Sequence, residues 1–268
     1  MKKLFSLLLA LLLAGSVSRA EGDWLYMINV GKGDAILIKA EDNFYLIDTG
    51  KSGAWEKVEA ALGDNGVTEL AGVFLTHTDK DHAGGLKKLV KSDIPVKTWY
   101  APMYSVDEGT DHPLVKATKK EPANIVWLKA GDTVDGLFTV LGPLSCDKNN
   151  EDNNSLVMMF DNGRARVLLA GDMETGEEAE LIAKNIDFTC DVFKVPNHAD
   201  NDVCHIMNLT SLGAKIALIS TDPYDKPGTP DPWLTEKLEQ AGMEVYCTDG
   251  TEKGIRVTLD TEIKVTVD

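Results

Sequence analysis

Residues 75–85 read L-T-H-T-D-K-D-H-A-G-G, and this stretch decides the fold prediction. It follows the apolar run A-G-V-F at 71–74, which is typical of a buried strand. Four side chains that bind metals in proteins fall within six residues: His77, Asp79, Asp81 and His82. Imidazole and carboxylate groups are good ligands for zinc and for harder divalent ions. The loop that follows this strand is therefore predicted to bind metal.

The same types of side chain follow three other predicted strands. Asp48 follows F-Y-L-I, Asp172 follows V-L-L-A-G, and His198 follows V-F-K-V-P-N. Acidic groups that are crowded together repel each other unless a cation lies between them. Four strand ends that each deliver Asp or His indicate a centre with two metal ions, which suits the hydrolysis of an ester or phosphoester.

Each of these residues has a plainer interpretation as well. Asp172 also fits the N-cap of the next predicted helix, because Asp is a good helix cap. Asp48 also fits a turn, and a single histidine such as His198 is often structural. Taken together they are interpreted as a functional set, whereas His112 and His205 lack a motif and are interpreted as structural or surface residues.

The first twenty residues have the pattern of a targeting segment. Lys2 and Lys3 precede the apolar stretch 5–14, and Ser18-Arg19-Ala20 fits a cleavage site. This predicts a signal peptide over 1–20, with export of a single domain over 21–268, and an uncleaved N-terminal anchor is the alternative. We expect no membrane span in the mature chain, because no later segment is long and apolar enough.

Charge limits the partners that the chain is expected to bind. The chain has 268 residues, 43% of them hydrophobic, and a formal net charge of −16. An acidic surface repels phosphate backbones, so tight non-specific DNA binding is not expected. A nucleic-acid substrate stays compatible with this charge if bound metal ions supply local positive charge. The sequence does not determine the oligomeric state.

The cysteines leave their pairing open. There are four: Cys146, Cys190, Cys204 and Cys247. In an exported protein this number favours at least one disulfide, and buried free thiols are the alternative. The absence of a C-x-x-C spacing argues against a zinc site built from cysteines.

Apolar runs with strand-like patterning alternate with helical spacing along the chain. Helices are predicted over 55–62, 85–91, 174–185, 203–212 and 233–241. Two strand-rich halves with interspersed helices predict two packed sheets with helices outside, an α+β fold.

The motif at 75–85 resembles the H-x-H-x-D-H signature of the metallo-β-lactamase fold. Asp79 in place of the second histidine resembles the branch formed by the ComEC-type DNA-uptake competence proteins. Further motifs resemble that branch in order, over residues 24–260: I-N-V-G-K-G-D-A-I-L-I, Y-L-I-D-T-G, N-N-S-L-V-M, L-L-A-G-D and A-G-M-E-V-Y-C-T-D-G. The resemblance implies an αββα sandwich with the site at one edge between the sheets.

The resemblance also implies a role for each site residue. His77 and Asp79 would bind one ion, and the other would be bound by Asp81, His82 and His198. Asp172 would bridge the ions, and Asp172, Asp81 and His198 would surround the reacting group. Asp48 would orient the ligand loop from behind, and Asn154 would face the first ion or the substrate.

Two segments depart from that branch. Asn197-His198-Ala199-Asp200 stands where the branch has His-His-Gly-Ser, and Gly228-Thr229-Pro230 stands where it has Gly-His-Pro. The resemblance implies that Asn197 and Thr229 lie behind the metal ligands or face the substrate, and Asp231 is a nearby substitute for the missing histidine. The ligand types are retained, whereas the handling of the substrate is changed.

These observations predict an exported hydrolase with two divalent ions, zinc first and manganese or magnesium as alternatives. The resemblance implies that the substrate is a phosphodiester, of DNA or of a nucleotide, attacked by a metal-bridging hydroxide. An amide or lactone hydrolase and a non-catalytic metal-binding or partner-binding protein are the alternatives. A DNA-uptake role does not follow, because the ComEC membrane segments are not found in this sequence.

Overall fold

The apolar runs form the strands of two sheets in the computed structural model, which describes residues 22–120 and 123–268. The predicted signal peptide lies outside these residues. The strands are β1 (Trp24–Ile28), β2 (Ile36–Ala40), β3 (Asn43–Ile47), β4 (Leu70–Phe74), β5 (Val96–Pro102), β6 (Ile125–Leu128), β7 (Thr133–Val134), β8 (Phe138–Val140), β9 (Met158–Asp161), β10 (Arg166–Leu169), β11 (Val192–Lys194), β12 (Ile216–Ile219), β13 (Glu244–Cys247), β14 (Gly254–Thr258) and β15 (Val265–Val267).

The strand order explains why the predicted site residues meet. The first sheet has the order β15-β14-β1-β2-β3-β4-β5-β6, and the second has the order β13-β12-β11-β10-β9-β8-β7. The pairs β3–β4 and β10–β11 are parallel, so their carboxyl ends lie at the same edge of each sheet. Asp48 and His77 follow the first pair, and Asp172 and His198 follow the second.

The helices cover the outer faces of the two sheets. They are α1 (Trp55–Asp64), α2 (Lys80–Ala83), α3 (Leu86–Leu89), α4 (Pro113–Thr118), α5 (Thr175–Ala183) and α6 (Pro232–Gln240). Among the described residues, none of these helices is long and apolar enough to cross a membrane.

Three apolar cores separate these layers. In β1, Leu25 and Met27 face the core between the sheets, whereas Trp24 and Tyr26 face the core beneath α1. This alternation is the period of two that a strand imposes on its side chains. A third core packs α5 and α6 against the second sheet. The layers run helix, sheet, sheet, helix, so the predicted αββα sandwich is confirmed.

One predicted helix is wrong. Residues 203–212 form turns and end in a short 3-10 helix, Leu209–Leu212. The carboxylate of buried Glu178 accepts hydrogen bonds from the backbone N–H groups of Met207 (2.8 Å) and Ile206 (3.3 Å). Because these N–H groups point at Glu178, they do not enter an α-helical ladder.

The expected disulfide is also not found, because all four cysteines are free thiols. Cys190 and Cys204 are buried in the core behind the second sheet, where a thiol packs as a small apolar group. Burial raises the pKa of Cys190 to about 12 and that of Cys204 well above its ordinary value. Both are therefore unreactive core residues.

A buried acid in α5 makes stability depend on pH. Glu177 is 3% exposed, and neither carboxylate oxygen has a hydrogen-bond partner among the described residues. Burial, with a smaller contribution from Glu180, raises the pKa of Glu177 well above its ordinary value. The folded state therefore binds this proton more tightly than the unfolded state. The contribution of this proton to folding stability is fully present below the pKa that Glu177 has in the unfolded chain. It is lost as the pH rises through the pKa of Glu177 in the folded chain.

We expect Glu177→Gln to be more stable than the wild type at pH 8 by about 1–3 kcal/mol, because the amide has no charge to bury. The advantage should shrink toward pH 4.5, where the wild-type carboxyl is protonated in the folded chain. Urea unfolding at both pH values measures it. Glu59→Gln on the exposed side of α1 is the control, and an advantage of Glu177→Gln that does not vary with pH would contradict the prediction.

Candidate metal centre

The side chains at the four strand ends converge between the sheets. Asp172 Oδ2 lies 3.0 Å from His198 Nε2 and 3.2 Å from His82 Nε2. Asp81 Oδ2 lies 3.7 Å from His198 Nε2. Two of the groups whose ligand atoms lie within 4.8 Å of one another are His77 with His82 and Asp172, and Asp81 with His82 and His198. The structure thus brings together predicted ligands that follow strands of two different sheets.

The three histidines share one orientation. Nδ1 of His77 lies 3.0 Å from Thr76 Oγ1, and Nδ1 of His82 lies 2.7 Å from Asp48 Oδ2. His198 donates from Nδ1 to the carbonyl oxygen of Ser220 at 2.8 Å. Each ring therefore turns Nε2 to the common centre. A partner that fixes Nδ1 is the usual arrangement behind a metal-binding histidine.

Asp48 holds the ligand loop from behind. Its carboxylate accepts from Thr76 N (2.8 Å), from Thr76 Oγ1 (2.6 Å) and from His82 Nδ1. Asp48 is fully buried and adopts a positive φ of 60°. This conformation places the carboxylate under the loop, which is the location that the orienting role requires.

His198 lies on a left-handed turn. Asn197, His198 and Ala199 have φ values of 41°, 55° and 58°. Such values are uncommon for residues with a side chain and cost free energy. The turn is fixed by hydrogen bonds from Asn197 N to Gly171 O and from Asp231 N to Ala199 O. It brings the imidazole back over Asp172.

Asp172 does not cap the next helix. Helix α5 begins at Thr175, and Glu174 occupies its N-cap position. The backbone N–H of Asp172 instead donates to the Ser155 hydroxyl oxygen (3.0 Å), and the Asp172 carboxylate points to the centre. The helix-cap interpretation is therefore wrong.

The acids and histidines of the centre shift each other's pKa values, and some of their polar atoms are unpaired. Burial alone would lower the pKa of His82, but Asp172 and Asp48 raise it well above its ordinary value. Burial alone would raise the pKa of Asp172, but His198 and His82 hold it well below its ordinary value. Within the centre, three buried polar atoms have no hydrogen-bond partner among the described residues: His77 Nε2, His198 Nε2 and Asp172 Oδ1. Because polar atoms are rarely left unpaired in a protein interior, this set fits bound divalent ions.

The family model of the metallo-beta-lactamase superfamily matches residues 28–240. The chain belongs to the metallo-beta-lactamase superfamily. Members of this superfamily are metal-dependent hydrolases, which agrees with the convergent ligand groups. The crystal structure of the metallo-beta-lactamase fold protein YhfI from Bacillus subtilis is similar to this chain, with a TM-score of 0.56. The match covers 88% of this chain and 98% of YhfI. Its sequence is 13% identical, so this likeness shows the fold alone.

The predicted resemblance to competence proteins is confirmed. ComE operon protein 3 of Bacillus subtilis (strain 168) is 29% identical over 244 residues, which are 83% of this chain and 31% of that protein. Competence protein ComA of Neisseria gonorrhoeae is 27% identical over 224 residues, 82% of this chain and 30% of that protein. The chain thus spans about a third of the length of these curated relatives.

A residue that the sequence analysis missed lies beside His77 and Asp79. Asp152 Oδ1 is 3.5 Å from His77 Nε2, and Asp152 forms a ligand group with His77 and Asp79. Burial, then Asp172 and Asp79, raises the pKa of Asp152 to about 8. This excess of negative charge is what a bound cation would relieve. The only signal in the sequence was an acidic pair, Glu151-Asp152, just before Asn154.

Asn154 holds the loop that presents Asp152. Its side chain accepts from Asp147 N at 2.8 Å and donates to Asp147 O at 2.9 Å. Glu151 ties the same loop to the ligand loop, because its Oε1 accepts from Thr78 N and Thr78 Oγ1. The Asn154 amide is therefore engaged by the backbone of Asp147. The side chain of this loop that faces His77 is the Asp152 carboxylate.

We expect Asp152→Asn to weaken binding of one Mn²⁺ ion by about 10- to 100-fold, because an amide oxygen is a weaker ligand than a carboxylate. Isothermal titration calorimetry of wild type and variant measures the change. Asp107→Asn, at an exposed position, is the control. Equal Mn²⁺ affinities for Asp152→Asn and wild type would show that Asp152 does not contact the ion.

Asn197 and Thr229 are both built into loops. The Asn197 amide donates to Glu174 Oε1 (3.3 Å) and Asp202 Oδ1 (3.4 Å). Thr229, which is 3% exposed, donates from Oγ1 to Lys226 O at 2.9 Å. Asp231 caps α6 by accepting from the first N–H groups of that helix. The side chains of Asn197, Thr229 and Asp231 are therefore engaged in hydrogen bonds within the loops and at the start of α6.

A buried lysine neutralises the acids behind the centre. The ammonium group of Lys194, which is 1% exposed, pairs with Asp34, lies 3.6 Å from Asp172 Oδ1 and donates to Gly171 O at 2.9 Å. The charged group of Lys194 is therefore buried beside a predicted metal ligand.

Proposed function

We propose that this chain is an exported hydrolase that uses two divalent ions to cleave a phosphodiester of DNA or of a nucleotide. The observation that carries the proposal is the shared orientation of three imidazoles, whose Nε2 atoms face a set of carboxylates. Zinc is the ion proposed first. Manganese and magnesium are alternatives, because the carboxylates make the donor set rich in oxygen.

Two neighbouring groups of side chains would bind the ions. His77, Asp79 and Asp152 surround one position, and Asp81, His82 and His198 surround the other. Asp172 lies between them, against both His82 and His198. Divalent ions held there would polarise the phosphoryl oxygens of the substrate and supply a nucleophile at neutral pH.

The chain's own residues fix protons and exclude water. Nδ1 of His82 donates to the Asp48 carboxylate and Nδ1 of His198 donates to the carbonyl oxygen of Ser220, so both rings keep Nε2 directed inward. The side chains of these two histidines are fully buried, which shields their ring nitrogens from bulk solvent. Asp81 and Asp152 are about one-fifth exposed and mark the open side for substrate.

The phosphodiester assignment is supported by two arguments. The similarity to competence proteins supports DNA or a nucleotide as the substrate class. An oxygen-rich centre also suits metal ions that act on phosphoesters.

The test combines metal content with turnover. Elemental mass spectrometry of the full chain is expected to find about two ions per chain, and the same sample is expected to hydrolyse bis(p-nitrophenyl) phosphate faster than p-nitrophenyl acetate or a β-lactam reporter. Protein that carries ions but cleaves no phosphodiester with zinc, manganese or magnesium would refute the proposal. His205→Gln, outside the centre, is a control and should retain activity.

A non-catalytic metal-binding or partner-binding protein is the second candidate. It is favoured by Asn197 and Thr229, because their side chains are engaged by loop contacts. Two bound ions without turnover of any reporter would support this candidate.

A further inference from the structure

The ammonium group of Lys32 lies on a predicted metal ligand. Lys32 belongs to the turn between β1 and β2, and its Nζ is 2.6 Å from Asp81 Oδ2. Both side chains are about one-fifth exposed, at 22% and 21%. The same carboxylate oxygen lies 3.7 Å from His198 Nε2, within the second ligand group. Lys32 therefore pairs with the Asp81 carboxylate, which an ion bound by Asp81, His82 and His198 would also contact.

The turn that carries Lys32 is fixed in place. Gly33 has a φ of 133°, and a Cβ at this position would collide with the carbonyl oxygen of Asp81. A residue with a side chain would therefore not allow this close approach. Lys32 is thus held at the opening of the centre even when its contact with Asp81 is broken.

A metal ion and Lys32 compete for Asp81. Two cations next to one carboxylate oxygen repel each other, and a divalent ion attracts the oxygen more strongly than an ammonium group. Binding of an ion to Asp81 would therefore release Lys32. Its charged end would then lie beside the ion, free to bind an anion.

The neighbouring lysines do not offer the same release. The ammonium groups of Lys51 and Lys226 pair with Asp225 and Asp200, and neither acid belongs to a ligand group of the centre. These two pairs would stay neutral when metal binds. Of these three lysines, Lys32 is the one whose charge becomes available through metal binding.

We propose that Lys32 is a metal-released phosphate-binding residue, which pairs with Asp81 in the metal-free chain and with a substrate phosphate oxygen once an ion binds Asp81. This inference rests on the proposed phosphodiesterase function and deepens it. It favours an anionic ester over a neutral amide or lactone, because only an anion gains from the released charge.

The test uses opposite effects on metal and substrate. In Lys32→Gln we expect Mn²⁺ to bind about threefold to tenfold tighter, because its competitor is gone, and KM for bis(p-nitrophenyl) phosphate to rise about tenfold with a smaller change in kcat. Lys32→Arg should restore KM to within about threefold of wild type. Lys97→Gln, which breaks an exposed pair with Glu69, is the control and should change neither quantity.

A second measurement separates this inference from the proposed function. Inorganic phosphate is titrated calorimetrically into Mn²⁺-loaded wild type and Lys32→Gln, whether or not either turns over substrate. A roughly tenfold weaker phosphate affinity of the variant supports Lys32 even if phosphodiester hydrolysis fails. Equal phosphate affinities, or weaker Mn²⁺ binding in Lys32→Gln, would overturn the inference.

Discussion

Asp172→Ala is expected to lose at least one of two bound ions and to lower phosphodiester turnover on the order of 10³-fold or more. Asp172 is 2% exposed, and its carboxylate contacts His82 and His198 while lying within 4.8 Å of the His77 ligand atom. Removing it takes away the carboxylate that lies against His82 and His198 and close to His77. Metal content and hydrolysis of bis(p-nitrophenyl) phosphate, measured on one sample, give both quantities.

Two further variants make this result interpretable. Asp172→Asn keeps the shape of the side chain and removes its charge, so it should lose metal and activity as Asp172→Ala does. Asp93→Ala changes an exposed aspartate after α3 and should keep both. Full activity in Asp172→Asn would mean that the charge of Asp172 is not needed.

Lys194→Met is expected to destabilise the metal-free fold by about 3–5 kcal/mol, the usual cost of leaving one partner of a buried ion pair uncompensated. The variant removes the cation that Asp34 and Asp172 face in the interior. Urea unfolding in the presence of a chelator measures the change. Lys253→Met, which breaks an exposed pair with Asp64, should leave stability nearly unchanged.

A second substitution shows whether the loss comes from the charge left on Asp34. Lys194→Met combined with Asp34→Asn should recover much of the stability, because the introduced amide carries no charge and its oxygen can still accept the Ser220 hydroxyl. If the two substitutions add their separate costs, Lys194 stabilises the fold by packing and not by its charge.

The ligand loop shows how far sequence reasoning reaches. His77, Asp79, Asp81 and His82 follow one strand in one short loop, so their closeness is set by local chain geometry. The strand runs that carry Asp48, Asp172 and His198 were read from periodicity, which is also local. The meeting of these residues in one place depends on the parallel pairing of β3 with β4 and of β10 with β11. The sequence analysis predicted a site between the sheets only through the family resemblance.

Residue choice within a loop was harder to predict. Asn154 and Asp152 are two positions apart, and only the turn at 152–154 decides which side chain faces His77. The same limit applies to residues 203–212, where the distant carboxylate of Glu178 takes the N–H groups that helical spacing assigned to a helix. Composition carries no information about such contacts, because they depend on the relative placement of separate elements.

The sequence by itself determined the ligand types, the strand that presents them and the layered fold, because each follows from spacing along one segment. Only the tertiary structure decided that Asp152 joins the centre, that Lys194 is buried against Asp34, and that Lys32 lies on Asp81. The last of these pairs joins residues 49 positions apart. Distances between charges so far apart in sequence are set by how the elements pack, and electrostatic energy depends on those distances.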